Sequence, residues 1–207
     1  MSIIINKFTE IDLIDPKNII IIGFNNTCKE LLIKDILVSN NEILHKMIIT
    51  KSVEKYKDLI STDYVYNSYD EDSIDLFIEN TNSHNKSLFI YEMTHYSYNI
   101  NNMDNETINN LYIDKNIYNT SFILSYSYGL HIPYFYINNA NLIFILHETI
   151  SLHRKKIYDD YCSLLCTYED FNHLLDTYTN KSCCLVINKS STLLNIKDIF
   201  YYYEFQK

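Results

Sequence analysis

The segment "NIIIIGFNNTCKELLIKDIL", residues 18–37, decides the fold. Asn18–Ile22 is a near-continuous apolar run, the pattern of a strand covered on both faces. Gly23 breaks it, and a helix is expected from about Cys28 to Val38. Gly23 and Lys29 stand six residues apart, the spacing of a phosphate-binding loop between a strand and a helix. Such a loop needs glycines that let backbone N–H groups approach phosphate, a lysine for charge, and a hydroxyl that holds magnesium. Here Thr27 is followed by Cys28 where the second glycine belongs, and Glu30 stands where the hydroxyl belongs. The Cys28 side chain would crowd a phosphate. A carboxylate about 4 Å from phosphate costs on the order of 4 kcal/mol at an effective dielectric of about 20. A carboxylate that held the metal itself would recover part of that cost. Gly23, Thr27, Cys28, Lys29 and Glu30 thus form a relict phosphate loop, or else Lys29 and Glu30 are two solvated charges in a first helical turn.

Outward from this segment the chain alternates strand and helix. Further strands are expected at His45–Thr50, Ser87–Tyr91, Ser121–Ser125, Leu142–Leu146, Cys183–Ile187 and Ile199–Tyr203, with a short extended piece at Asp63–Tyr66. Amphipathic or helical segments are expected at Ile108–Ile117, His147–Leu165 and Tyr168–Tyr178, and a loop over residues 99–110. Continuously apolar strands alternating with helices imply parallel βαβ units. The 207 residues suit a single α/β domain, residues 1–207, with no repeat or internal boundary.

Composition narrows the chemistry. The net charge of -9 argues against a broad surface for nucleic-acid phosphates. Arg154 is the only arginine, so chemistry that needs an arginine has one candidate in the subunit. "MSIIINKFTE" lacks secretory-signal features and no apolar run is long enough to cross a membrane, so the expectation is a protein neither secreted nor membrane-bound. Five scattered cysteines read as reduced thiols. Cys162, Cys166, His173, Cys183 and Cys184 raise the question of zinc, but their spacing favours buried free cysteine. The scattered histidines show no catalytic pattern. The one basic cluster, His153–Lys156, reads as a solvated helix face, and contact with nucleic acid rests on it alone. The 20 tyrosines suit interfaces as well as the core.

The collinear series "IIIIGFNNTCKELLIKDIL", "SLFIYEMTHY", "LYIDKNIYNTSFILSYSYGLHIP", "NLIFILHETISLHRKKIYDDYC" and "FNHLLDTYTNKSCCLVI…DIFYYYEF" resembles the DNA-packaging ATPases of poxviruses and other nucleocytoplasmic large DNA viruses, in the FtsK–HerA superfamily. The resemblance covers nearly the whole chain and implies a RecA-like P-loop NTPase fold, three-layered, with a mostly parallel central sheet. It also implies which positions have lost their chemistry. The family's two adjacent carboxylates fall on Tyr91 and Glu92, its sensor glutamine on Tyr126, and its intersubunit arginine on Ile137. An Arg-His pair falls on Asn116 and Ile117; Asn139 is retained, and Asn141 replaces a usual aspartate.

Phosphoryl transfer depends on positioning and charge stabilisation, so these substitutions remove the mechanism. The expectation is a pseudoenzyme, a structural or regulatory interaction subunit linked to virion DNA packaging or assembly. No resident cofactor is expected; ATP and magnesium enter only if binding is retained. The alternative is a divergent ATPase that binds or slowly hydrolyses ATP through Lys29, Glu30 and Glu92. An acidic nucleic-acid-binding protein is a third reading. Implied partners are an active packaging-ATPase paralogue or further copies of the chain, in the host cytoplasm (the viral factory) or the virion. The cleft is expected to be closed by its own side chains, with Lys29 paired to Glu30, Glu92 or another carboxylate, and Cys28, Tyr91 and Tyr126 filling the phosphate and base space.

Overall fold

The computed structural model describes residues 3–9, 11–24, 28–60, 64–81, 86–93, 106–127, 132–179, 182–191 and 196–206. Their strands are β1 (Asn6–Lys7), β2 (Asn18–Ile22), β3 (His45–Ile49), β4 (Val65–Tyr66), β5 (Ser87–Met93), β6 (Thr120–Tyr126), β7 (Leu142–Ile145), β8 (Cys183–Asn188) and β9 (Phe200–Glu204). The helices are α1 (Lys29–Ser39), α2 (Glu71–Asn80), α3 (Glu106–Ile113), α4 (Tyr134–Asn139), α5 (Ser151–Ile157), α6 (Tyr168–Tyr178) and α7 (Ile196–Ile199).

All nine strands join one sheet in the order β1-β9-β8-β7-β2-β6-β5-β3-β4. Every pairing is parallel except those of β8, which runs antiparallel to β7 and β9. β2 lies between β6 and β7 near the middle, and β5 is next beyond β6. Ser121–Ser125 thus lies beside Asn18–Ile22, and Ser87–Tyr91 one strand further out. All five β2 residues are buried, because both faces are covered. On one face Ile19, Ile21, Leu88, Ile90, Ile123 and Phe144 pack against Leu32, Ile33, Ile36 and Leu37 of α1. On the other, Ile20, Ile22, Phe89, Phe122, Leu124 and Ile143 pack under α2, α3, α4 and α6. The result is a three-layer α/β fold with a mostly parallel sheet. Among the described residues no helix is long and apolar enough to cross a membrane.

Several elements differ from the sequence expectation, each for a local reason. The loop expected over residues 99–110 ends early, because α3 starts at Glu106; residues 99–105 lie outside the described residues. The helix expected at His147–Leu165 is broken. Glu148 Oε1 accepts hydrogen bonds from the N–H groups of Thr149 and Ile150, both 2.7 Å, so this segment bends before α5 begins. A π-helical turn, Tyr158–Cys162, then ends it. α2 carries no expectation from the sequence; Asp70 caps it by accepting from Ser73 N at 3.1 Å, and Ile74 and Phe77 bury its inner face.

Asn40 closes α1 and ties it to the segment before β2. Its backbone N–H reaches Ile36 O at 3.1 Å. Its side chain donates to Ile36 O and Ile11 O, both 2.9 Å, and accepts from Leu13 N at 3.1 Å. The residue is buried, so Asn40→Ala strands two buried backbone groups, Ile11 O and Leu13 N. The expected cost is about 3 kcal/mol, read as a lower denaturation midpoint.

Candidate functional site

The carboxyl ends of β2, β5 and β6 bring together four of the positions singled out in the sequence. Gly23 N donates to Tyr126 O at 3.2 Å, which holds the loop's start against β6. Register places Ile22 beside Tyr126, Glu92 beside Ser125 and Met93 beside Tyr126. Lys29, the first residue of α1, points into this junction and is only 6% exposed. Thr27 lies outside the described residues.

Cys28 has φ 63° and ψ 16°, a left-handed backbone in which a side chain is strained and glycine is not. The loop therefore keeps, at Cys28, a conformation that suits the glycine it no longer has. No side chain caps α1 at this position.

Lys29 does not pair with Glu30. Its Nζ donates to Ser127 Oγ at 3.4 Å, just beyond β6. Burial pulls the ammonium down from about 10.5 to about 8, and the nearby Glu92 carboxylate opposes that only in part. Glu30 turns away onto Lys55 at 2.5 Å and Lys34 at 2.9 Å. Partial burial pushes the Glu30 carboxyl up, and these two ammonium groups more than offset it, leaving it below its ordinary value. Of the carboxylates expected to pair with Lys29, Glu30 is taken by Lys55 and by Lys34, one turn along the same helix face, while Glu92 stays near enough to act on the Lys29 charge.

Glu92 is engaged as well. Its Oε2 accepts from Thr50 Oγ1 at 2.6 Å and from Tyr56 Oη at 3.4 Å. Tyr56 is fully buried, and its hydroxyl is pushed well above its ordinary value by burial and then by the Glu92 and Glu30 carboxylates. Ser127, Thr50 and Tyr56 are site residues that sequence reading missed. They come from two separate segments, one after β3 and one after β6, and no motif links them.

Tyr91 and Tyr126 do not fill the space around Lys29. Alternation along β5 sends Tyr91 to the face opposite Glu92, with Phe89 and Met93. Tyr126 belongs to that same layer, where its hydroxyl meets Tyr161 Oη on the π-helical turn. Ile137 lies on α4, buried, and its carbonyl accepts from Lys189 Nζ at 2.6 Å. Asn139 and Asn141 stand at the opposite end of the sheet: Asn18 Nδ2 donates to Asn139 O at 3.1 Å, and Asn141 Oδ1 accepts from Asn18 N at 2.9 Å and Lys115 Nζ at 2.7 Å. Asn116 and Ile117 are exposed in the turn before β6.

Arg154 is held within its own subunit. Its Nε donates to Glu148 O at 2.7 Å, Nη1 to Asn172 Oδ1 at 3.4 Å and Nη2 to Asp176 Oδ1 at 2.6 Å, and its side chain is 13% exposed. The rest of the basic cluster is also paired: Lys155 with Asp159, and Lys156 with Asp160 at 3.0 Å. Cys162 and Cys184 are fully buried, and all five cysteines are free. Among the described residues, no group of three or more His, Cys, Asp and Glu side chains is placed to hold a metal ion.

No protein-family model matches the chain, and no curated protein matches it by sequence. Its fold is similar to that of the genome packaging NTPase B204 from Sulfolobus turreted icosahedral virus 2 in complex with AMPPCP, with a TM-score of 0.67, 14% identity, and 92% of this chain and 98% of that chain covered. The DNA-packaging ATPase B204 from Sulfolobus Turreted Icosahedral Virus gives a TM-score of 0.65 at 15% identity, over 94% of this chain and 100% of that one. EssC (ATPases 2 and 3) from Geobacillus thermodenitrificans gives 0.56 at 14% identity, over 93% of this chain and 40% of that one. The shared property is the fold, that of packaging NTPases and of secretion ATPases.

Two outcomes follow from the loop. Cys28→Gly is expected to raise stability by about 1 kcal/mol by removing the left-handed strain, measured as a higher denaturation midpoint. Lys29 has a folded pKa below its unfolded one. The unfolded chain then binds more protons between about pH 8 and 10, and Lys29 makes stability rise across that window. The gain is at most about 3 kcal/mol, and Lys29→Met should flatten the rise in denaturation midpoint.

Proposed function

We propose that the chain is a packaging-ATPase-like pseudoenzyme, a structural or regulatory interaction subunit linked to virion DNA packaging or assembly in a large DNA virus. The observation that carries this reading is the state of the two charged groups left at the strand ends. Lys29 reaches a serine of its own chain, and Glu92 takes hydrogen bonds from Thr50 and Tyr56. Tyr91 adds no second carboxylate beside Glu92. Arg154 supports the same reading, since its three hydrogen bonds keep it from reaching a neighbour's nucleotide. With these groups engaged internally, the charge stabilisation that phosphoryl transfer requires is missing. The partners under this reading are an active packaging-ATPase paralogue or further copies of the chain, in the viral factory or the virion. The pairing of Lys155 and Lys156 leaves the basic cluster little attraction for nucleic-acid phosphates.

One observation favours the alternative, a divergent ATPase that binds or slowly hydrolyses ATP. Cys28 keeps a backbone conformation suited to glycine ahead of a buried lysine at a helix start. Under that reading Lys29, Glu30 and Glu92, with Gly23 and Cys28 in the loop, would face ATP and its magnesium. A steady-state phosphate-release assay with ATP and magnesium separates the two. The expected result is release at background. Turnover that Lys29→Ala abolishes would overturn the pseudoenzyme reading.

A further inference from the structure

Glu148 is a buried residue whose oxygens meet three different sets of neighbours. Oε1 accepts from the N–H groups of Thr149 and Ile150, both 2.7 Å, and the main-chain oxygen accepts from Arg154 Nε at 2.7 Å. Oε2 is shielded from solvent and accepts no hydrogen bond of normal geometry among the described residues. What stands against it, at 3.5 Å, is Nδ1 of His153, which is shielded as well. A carboxylate oxygen in that position calls for a donor.

We propose that His153 carries its proton on Nδ1 for Glu148, and that this proton latches the bend before α5 and the grip on Arg154.

The alternatives are worse. A bare Nδ1 would set its lone pair against the carboxylate, two acceptors facing each other away from water. A half-turn of the ring would put Cδ2 there and leave Oε2 with no donor. A proton on Nδ1 turns the same contact into an N–H···O bond to a charged acceptor, one of the stronger kinds. Glu148 is the acceptor of the pair, since its other oxygen already takes two N–H donors. Among the described residues no lysine or arginine pairs with this carboxylate. Arg154 takes the main-chain oxygen instead, and Lys155 and Lys156 pair with Asp159 and Asp160.

The contact reaches further than two side chains. The backbone N–H groups of His153 and Arg154 both donate to Ile150 O at 3.0 Å, so the chain returns to the same bend twice. Holding the carboxylate at both oxygens fixes the Glu148 peptide, whose oxygen receives Arg154. The far end of Arg154 rests on Asn172 and Asp176 of α6, where His147 and His173 also act on Asp176. The Glu148 side of the grip therefore belongs to Arg154 alone, and it is the side that His153 secures. This inference does not depend on whether the protein hydrolyses ATP.

Nuclear magnetic resonance of the imidazole nitrogens in the full chain reads the tautomer directly. At about pH 8.5, above the ordinary imidazole range, a side chain free in water favours the proton on Nε2. His153 is expected to show it on Nδ1. In Glu148→Gln the Oε1 place must stay an acceptor for Thr149 and Ile150, so the new amide NH₂ takes the Oε2 place and donates. The His153 proton should then move to Nε2, a change that lost packing alone would not produce. In His153→Phe the Arg154 Nε–H should exchange with solvent about tenfold faster. The spectrum of the unmodified protein decides the tautomer even if a variant fails to fold. An Nε2–H tautomer there, an Nδ1–H tautomer kept in Glu148→Gln, or unchanged Arg154 exchange in His153→Phe would overturn the proposal.

Discussion

Everything in this molecule is arranged around a strand that cannot face water. β2 is Asn-Ile-Ile-Ile-Ile, buried on both faces and hydrogen-bonded along both edges to parallel partners. Burying four isoleucine side chains contributes roughly 1.5–3 kcal/mol each, provided that both faces are covered. The chain meets that condition with α1 on one side and the α2, α3, α4 and α6 layer on the other. The carboxyl end of β2 then has to open directly into α1, and this brings Lys29 into the interior. The low proton affinity of that lysine follows from the same burial that stabilises the sheet.

The parts of the fold legible in the sequence were those where burial leaves no choice. "NIIII", "SLFIY", "SFILS" and "LIFIL" are continuous apolar runs because both of their faces are covered, and all four proved to be strands at or close to the expected bounds. α2 was not legible for the opposite reason. "EDSIDLFIEN" buries only Ile74 and Phe77, so its apolar signal is two residues at helical spacing behind an Asp cap. α4 has six residues and follows a proline, too short for any periodicity to register. The break before α5 depends on one carboxylate, that of Glu148, outcompeting the helix for backbone N–H groups.

The site was legible in its anchors and not in its contacts. Gly23 and Lys29 were named from a strand end and spacing, Glu92 from the family resemblance, and the sheet does bring the three to one edge. Where their side chains go was decided by residues with no signature. Glu30 found Lys55, which is distant in sequence, and Lys34, one turn away. Glu92 found Thr50 and Tyr56, delivered by the segment after β3. Tyr91 and Glu92 are adjacent in sequence but face opposite layers, since a strand alternates its side chains. That alternation separates the tyrosines from the lysine more firmly than any distance along the chain suggests.

The two outermost strands, β1 and β4, have only two residues each. A sheet this wide would otherwise present long rows of unpaired N–H and C=O groups to solution. Strands this short offer almost no template for another chain to extend. Assembly by joining sheets edge to edge is thereby discouraged, in a protein rich in isoleucine and tyrosine that would be prone to it. A second chain brought against this one would meet its helical flanks or the rim formed by its strand ends, where side-chain chemistry rather than backbone pairing decides the contact.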